Sequence, residues 1–374
     1  MKGFKSGRFI NQGTFRSFFP EEVNRQWLID DMELIDLLSK ADRQLGRLDM
    51  YSEYIPNIDL FISMHVIKEA TQSSKIEGTK TNIEDALQDK EDLSEEKRND
   101  WEEVQNYISA LNKAVLSLDE IPLSSRLIKQ SHEVLLSGVR GKHKIPGEYR
   151  TSQNWIGGAS IADAVFVPPP HSEISRLMGD LEKFVHNEEI LFPELLKIAL
   201  IHYQFETIHP FLDGNGRVGR LMITLYLVEK GLLKKPILYL SDFFERNRKL
   251  YYDNLMNVRT HNDIKQWFKF FLVGVIETAK NSIATFDSIL KLQKEVDEKL
   301  QTLGARTNNG RAILNRLYQH PFVDAQSVAK TAEISPPSAY KLIADLEELK
   351  IIKEYTGVKR GKKYWFYDYI QLFK

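Results

Sequence analysis

Apolar residues recur at helical spacing over most of the chain. Trp27, Leu28, Met32, Leu34, Ile35, Leu37, Leu38 and Leu45 place one or two helices within residues 21–49, and a second long helix fills 58–78. Gly78 stops that helix and Asn82 starts the next. Residues 124–136 form a helix capped by Ser124 or Ser125; its buried face includes His132, which reads as a structural core histidine. An amphipathic helix follows at 174–185. Leu195, Ile198, Ala199, Ile201, His202, Phe205 and Ile208 then line a buried helix that Pro210 halts, and apolar periodicity resumes at 217–227. Residues 242–259 return to helix, and 267–286 continue into 289–303 as a long connector. Strands are scarce: residues 1–20 lack a period and read as an extended arm packed on later helices, while 148–158, rich in glycine and β-formers, predict a short hairpin. The fold class is mainly α.

Three regions follow: 1–110, an arm and helices; 111–303, a core with its connecting helix; and 305–374. Gly304 to Gly310 reads as a linker by composition. Beyond it come three short helices and a hairpin, at 311–320, 325–331, 336–349, 351–355 and 363–367. That order resembles a winged helix, with Ser335 capping the third helix.

Hydrophobic content of 42% with 28% charged residues is that of a soluble globular protein, and a net charge of −1 argues against a chain that binds nucleic acid or membrane surfaces globally. Zero cysteines exclude disulfides and thiolate metal sites. With no membrane span or signal peptide legible, a cytoplasmic location is expected. The tail from Ala305 holds 12 Lys/Arg against 7 Asp/Glu, so DNA binding stays open there. The third helix of the tail offers few base-reading side chains and ends acidic, which favours a protein-interaction or dimerisation role. The charged run within 85–106 reads as a solvated loop and helix face without a site.

Chemistry concentrates in His209-Pro-Phe-Leu-Asp-Gly-Asn-Gly-Arg-Val-Gly-Arg220. Gly214-Asn215-Gly216 can turn successive N–H groups inward at the start of a helix, which makes an anion cradle. Arg217 and Arg220, three apart, add two forks of donors suited to a polyphosphate. Asp213 beside phosphate calls for a bridging divalent cation, Mg²⁺ in the first instance. His209 supplies an imidazole able to take a proton from a hydroxyl. Phe211 is read as a packing residue that holds the loop.

This stretch matches, without gaps, the Fic family signature HPFx[D/E]GNGRxxR, and the chain resembles a Fic-domain protein adenylyltransferase. The resemblance implies a helical core with a β-hairpin flap, transfer of AMP from ATP to a Ser, Thr or Tyr hydroxyl of a target protein or of the chain itself, and release of pyrophosphate. It makes His209 the base and Asp213 the Mg²⁺ ligand. It also implies an ATP site of Glu77, Leu212, Asp213, Gly214, Asn215, Gly216, Arg217 and Arg220. Ser73-Ser-Lys-Ile-Glu-Gly78 matches the family's inhibitory motif [S/T]xxxE[G/N], so Ser73, Glu77 and Gly78 are expected to hold the enzyme off through a Glu77–Arg220 pair. Pro146-Gly-Glu-Tyr-Arg150 resembles the segment that introduces the flap, whose edge would present a target strand to His209. Tyr251-Tyr-Asp-Asn-Leu255 resembles a family segment and, with Asn247, is expected to line the adenine pocket; the competing role for Tyr251 and Tyr252 is core packing. A homo-oligomer is expected. The alternatives are a DNA-binding regulator with the core as nucleotide sensor, removal of AMP rather than its addition, or use of UTP or GTP.

Overall fold

The structure, a computed structural model, describes residues 3–55, 57–138 and 142–374. It opens on an antiparallel hairpin, β1 (Gly7–Asn11) and β2 (Arg16–Pro20), with Phe9 opposite Phe18. The arm expected at 1–20 is therefore paired with itself. It does pack on later elements: the Phe18 N–H donates to Val167 O at 2.9 Å, and the Ser6 N–H donates to Asn262 Oδ1 at 2.7 Å. Residues 21–31 are not helical. The N–H groups of Val23 and Asn24 donate to Asp180 instead, and the first helix begins after Asp31, whose side chain accepts from Leu34 N–H at 3.0 Å.

That helix, α1 (Met32–Tyr54), leads to α2 (Asp59–Ile76), the one-turn α3 (Ile83–Ala86), capped by Asn82, and α4 (Glu95–Ser117). The helix α5 (Ser125–Leu135) follows. The hairpin expected at 148–158 is reduced to one bridge, Ile156 with Phe166, around a wide loop. The loop prefers a local capping box, in which Asp163 accepts from Ser160 N–H at 2.7 Å and from Ala159 N–H at 3.0 Å.

The core comprises α6 (Ile174–His186), α7 (Glu194–Ile208), α8 (Asn215–Glu229), α9 (Ser241–Arg246), α10 (Arg248–His261) and α11 (Ile264–Gln301). All but the first residue of α7 is buried, its polar side chains Lys197, His202, Gln204 and Glu206 included. Trp267 of α11 is fully buried and donates its indole N–H to Ala199 O at 2.8 Å, fixing α11 on α7. The single helix expected over 242–259 is broken at Asn247, which ends α9 and precedes α10.

Residues 304–310 are not a free linker. A 3-10 turn runs straight into α12 (Thr307–Gln319), and Gly310 lies flat against Leu300 and Leu303, where a Cβ would come within 2.9 Å. Then come β3 (Phe322–Asp324), α13 (Ala325–Thr331), α14 (Pro336–Glu348), β4 (Lys353–Glu354), β5 (Lys363–Trp365) and α15 (Tyr367–Gln371), with strand order β3-β5-β4. Ser335 stands at the N-cap of α14, but its hydroxyl bonds to Ser338 rather than to the backbone. This unit packs on α2. The Phe61 and Tyr318 rings meet edge to face at 5.0 Å, and Phe373, 1% exposed, abuts His65. Among the described residues no helix is long and apolar enough to cross a membrane.

Candidate active site

The site lies where α7 stops and α8 starts. His209 ends α7 with φ 51, a left-handed conformation uncommon for a residue with a side chain, so its carbonyl leaves the helix direction. Two arginines hold the turn. Arg150, 2% exposed, donates to the carbonyls of His209 (2.9 Å), Ser152 (3.0 Å) and Pro169 (2.6 Å). Arg259 donates to Glu206 O at 3.1 Å and to Thr207 Oγ1 at 3.1 Å. Carbonyls at a helix C-terminus lack intrahelical donors, and both cations supply them. Burial, reinforced by Arg259 and Arg150, pushes the His209 imidazole down to about 3, so it is neutral at physiological pH. Its Nδ1 faces Glu206 O at 3.4 Å, which leaves Nε2 as the atom that receives a proton.

The loop after His209 is locked from inside. Phe211 is fully buried and stacks on His132 at 3.7 Å with ring planes 9° apart. His132 Nδ1 accepts from Gly147 N–H at 2.9 Å, so its Nε2–H donates to Asp213 O at 3.1 Å. His132 is thus the buried structural histidine expected, and what it supports is the motif itself. Asn215 gives both ends of its amide to the backbone of Phe211, at 2.8 and 2.9 Å. Its side chain therefore shapes the cradle, and any contact with phosphate falls to the N–H groups of the first turn of α8, which have no helical acceptor.

Around this junction a cavity of about 260 Å³ is lined by Glu77, Asn99, Glu102, Glu103, Asn106, Leu135, Leu136, Ser137, Asp213 and Arg217. The structure brings Ser73, Glu77, Asp213, Gly216, Arg217 and Arg220 together here. Arg220, 2% exposed, donates Nε–H to Ser73 Oγ (2.9 Å) and Nη2–H to both Ser73 O (2.9 Å) and Glu77 Oε1 (2.6 Å). Burial works to raise the Glu77 carboxyl, but Arg220 overrides it and holds the group below its ordinary range. Gly78, at φ 106, ends the helical path just after Glu77, and Gly216 leaves room for the carboxylate, since a Cβ there would meet Glu77 Oε1 at 2.3 Å. Leu212 is half-buried beside Asp213.

Of the three residues expected at an adenine pocket, two are engaged elsewhere. Tyr251 is 1% exposed and donates its hydroxyl to His202 Nε2 at 2.8 Å inside an aromatic cluster with Phe244 and Trp267. It is core, because a phenol with a buried acceptor satisfies itself there. The Asn247 amide donates to Phe243 O, which serves the break between α9 and α10. Tyr252, 39% exposed, keeps an open face. Conversely, Glu103 belongs to the site despite lying in the charged run read as solvated: its carboxylate accepts from Arg217 Nη1 at 3.1 Å. Residues 99, 102, 103 and 106 share one face of α4 by helical spacing, a signal hidden by the uniform charge around them.

The residues fit a nucleotide with a divalent cation. Arg217 Nε and Arg220 Nη1 are sealed from solvent without a hydrogen-bond partner among the described residues, which suits an anion. The Asp213 side chain is half exposed at the cavity. Among the described residues no group of three or more His, Cys, Asp or Glu forms a ready metal cage. A Mg²⁺ ion characteristically takes one or two carboxylates and completes its shell with phosphate and water.

Comparison with known proteins agrees with this geometry. Residues 35–116 match the Fic/DOC family N-terminal model and residues 122–227 the Fic/DOC family model. A probable protein adenylyltransferase of Aquifex aeolicus is 36% identical over 124 residues, 33% of this chain and 35% of that protein. The protein adenylyltransferase Fic of Aedes aegypti is 27% identical over 190 residues, 50% of this chain and 34% of that protein. The chain thus spans about a third of the length of these curated relatives. In fold, a Fic family protein from Desulfovibrio desulfuricans G20 superposes with TM-score 0.59 at 20% identity, over 91% of this chain and 98% of that one. A Fic domain containing signaling protein from Bacteroides thetaiotaomicron gives 0.53 at 19%, over 67% and 97%. With its signature loop between two buried helices and both domain models in order, the chain belongs to the Fic/DOC family.

Proposed function

We propose that this chain is a protein adenylyltransferase, moving AMP from ATP to a hydroxyl side chain of a protein, itself included, and that Glu77 holds it in a resting state. One observation carries the reading: a neutral imidazole stands at a helix junction with two buried arginines that each keep an unpaired donor, Arg217 lining the cavity and Arg220 paired with Glu77 at its wall. Two relatives named protein adenylyltransferase support it.

In this mechanism the first-turn N–H groups of α8, with Arg217 and Arg220, bind and orient the triphosphate. The acceptor hydroxyl gives its proton to His209 Nε2 while its oxygen attacks the α-phosphorus; the bond to the bridging oxygen breaks and pyrophosphate leaves. His209 then releases the proton to solvent. Asp213 would hold the Mg²⁺ that accompanies the nucleotide, which when bound offsets charge on the phosphates. The resting state follows from the Glu77–Arg220 pair: a γ-phosphate must compete with a carboxylate already 2.6 Å from the guanidinium.

The test is transfer of label from α-labelled ATP to protein by the unaltered chain, Glu77→Gly and Glu77→Gly/His209→Ala. Label should rise at least about tenfold on removing Glu77 and vanish with His209, with ATP binding retained. Equal labelling by all three would overturn the proposal, and preference for UTP or GTP would redirect it.

A further inference from the structure

The end of α7 holds a carboxylate to which the transfer reaction assigns no task. Glu206, 7% exposed, precedes His209 by three residues, and its Oε2 lies 4.0 Å from His209 Nδ1, the nitrogen that also faces the Glu206 carbonyl. The other oxygen, Oε1, is sealed from solvent with no hydrogen-bond partner among the described residues. Its room is built into the next helix: at Gly219 of α8 a Cβ would meet Oε1 at 2.5 Å. The nearest polar groups of that layer are already committed, since His202 Nδ1–H donates to Gly219 O at 3.0 Å and His202 Nε2 accepts from Tyr251.

The charged and titratable groups facing Glu206 are Arg220 from α8, Arg259, Tyr251 and Tyr252 from α10, Glu77 from the end of α2, and His209. Burial raises the carboxyl to about 7, against the opposing pull of Arg220. A base pushed as low as His209 accepts a proton reluctantly; Glu77 and the Glu206 carbonyl pull the other way, and an ionised carboxylate 4.0 Å from Nδ1 adds to that pull.

We propose that Glu206 is the positioning residue for His209: it holds the Nδ1 edge of the imidazole toward the interior and bears the charge that balances the imidazolium when Nε2 takes the proton of the acceptor hydroxyl. No proton passes to Glu206. The Nδ1–H stays on the ring, and the carboxylate acts through its charge. This role rests on the adenylyltransferase reading, and its test is arranged so that the two fail separately.

The test uses the full chain with Glu77→Gly, adding Glu206→Gln or Glu206→Asp. Glu206→Gln should lower kcat about 10- to 100-fold, leave KM for ATP within about threefold, and remove the limb of the pH–rate profile that lies near pH 7. Glu206→Asp, which keeps the charge, should recover a substantial part of the rate and keep the limb. NMR of labelled histidines reads the same contact without turnover: as Glu206 ionises around pH 7, the His209 ring nitrogens should change shift in the parent and stay flat in Glu206→Gln. A Gln variant with the parent's rate and pH profile, or one altered only in KM, overturns the proposal, as does a His209 ring whose shifts near pH 7 are alike in both proteins. If the parent itself transfers no label, the reading of function fails, and the histidine titration still decides the role of Glu206. If Glu206→Gln does not fold, Glu206→Asp decides: one methylene shorter, it should lower kcat with the limb retained, and an unchanged kcat sinks the idea.

Discussion

Glu77 and Arg220 stand 143 residues apart in the chain and 2.6 Å apart in the structure. Arg220 is also bonded to Ser73 through both its hydroxyl and its carbonyl, so one guanidinium reads the last turn of α2 at two positions. Only Glu77 brings a charge, and its side chain is about one-third exposed at the cavity, where an incoming anion can compete for the same donors.

Removing that charge should weaken the fold and strengthen its response to nucleotide. Glu77→Gly leaves Arg220 buried without its counter-ion, a loss of about 1–3 kcal/mol, less than for a fully buried pair because Glu77 is partly solvated. In thermal melts the variant should start lower than the unaltered chain and gain more on adding Mg-ATP. An equal gain in both would mean that the pair does not compete with phosphate.

Glu103 makes the parallel contact with Arg217 from α4. Glu103→Gln removes its charge while keeping its shape, so ATP should bind about 3- to 10-fold tighter by calorimetry, one carboxylate fewer competing for the cation. Weaker binding instead would show that Glu103 aims Arg217 at the nucleotide.

Arg150 is tied to the carbonyls of His209, Ser152 and Pro169, a fork that a single ammonium cannot reproduce. Arg150→Lys should cost about 2–4 kcal/mol in denaturant unfolding by leaving buried carbonyls unpaired. It should also reduce kcat more than ATP affinity, because the displaced element is the His209 turn. Unchanged unfolding would place the hold on the turn elsewhere, in Arg259.

The pH dependence of stability follows from burial. His65, His202 and His209 are pushed down to about 3 and His132 to about 4, in each case mainly by desolvation. Their folded pKa values lie below that of an unfolded histidine, so their contribution is present above about pH 6.5 and is lost as pH falls from there toward about 4 for His132 and about 3 for the others. Glu206, raised to about 7, acts oppositely between about 4.5 and 7, where the folded state keeps a proton the unfolded state gives up. These imidazoles, joined by His320, outweigh Glu206 and the raised carboxyls of Asp42, Glu69 and Asp180, leaving a net loss on the order of several kcal/mol by pH 5. Melting temperatures measured from pH 8 to 5 should fall steadily, and a flat profile would mean that these imidazoles are hydrated.

The sequence was most informative where one segment carries both pattern and chemistry. Helical periodicity located α2, α5, α6, α7, α8 and α11 to within a few residues, since each must bury an apolar face and Gly, Pro and cap residues mark the ends. His209, Asp213, Arg217 and Arg220 could be read together because twelve consecutive residues hold them. The first twenty residues were opaque: a five-residue strand is too short to show its period, and its partner is decided by packing on Asn262 and Val167.

Tertiary structure alone decided what side chains do to groups distant in the chain. Tyr251 and Tyr252 are identical in sequence terms, yet one hydroxyl finds buried His202 and the other ring stays partly open. Glu103 lies in a run of like charges, and only the approach of α4 to α8 turns it from a solvated residue into a partner of Arg217. The same holds for Arg150 and His132, which reach backbone carbonyls of the motif loop, and for Arg259, which reaches the last turn of α7 before it. Local sequence sets which backbone groups a helix end leaves unpaired; which remote side chain meets them depends on the packing of the whole chain.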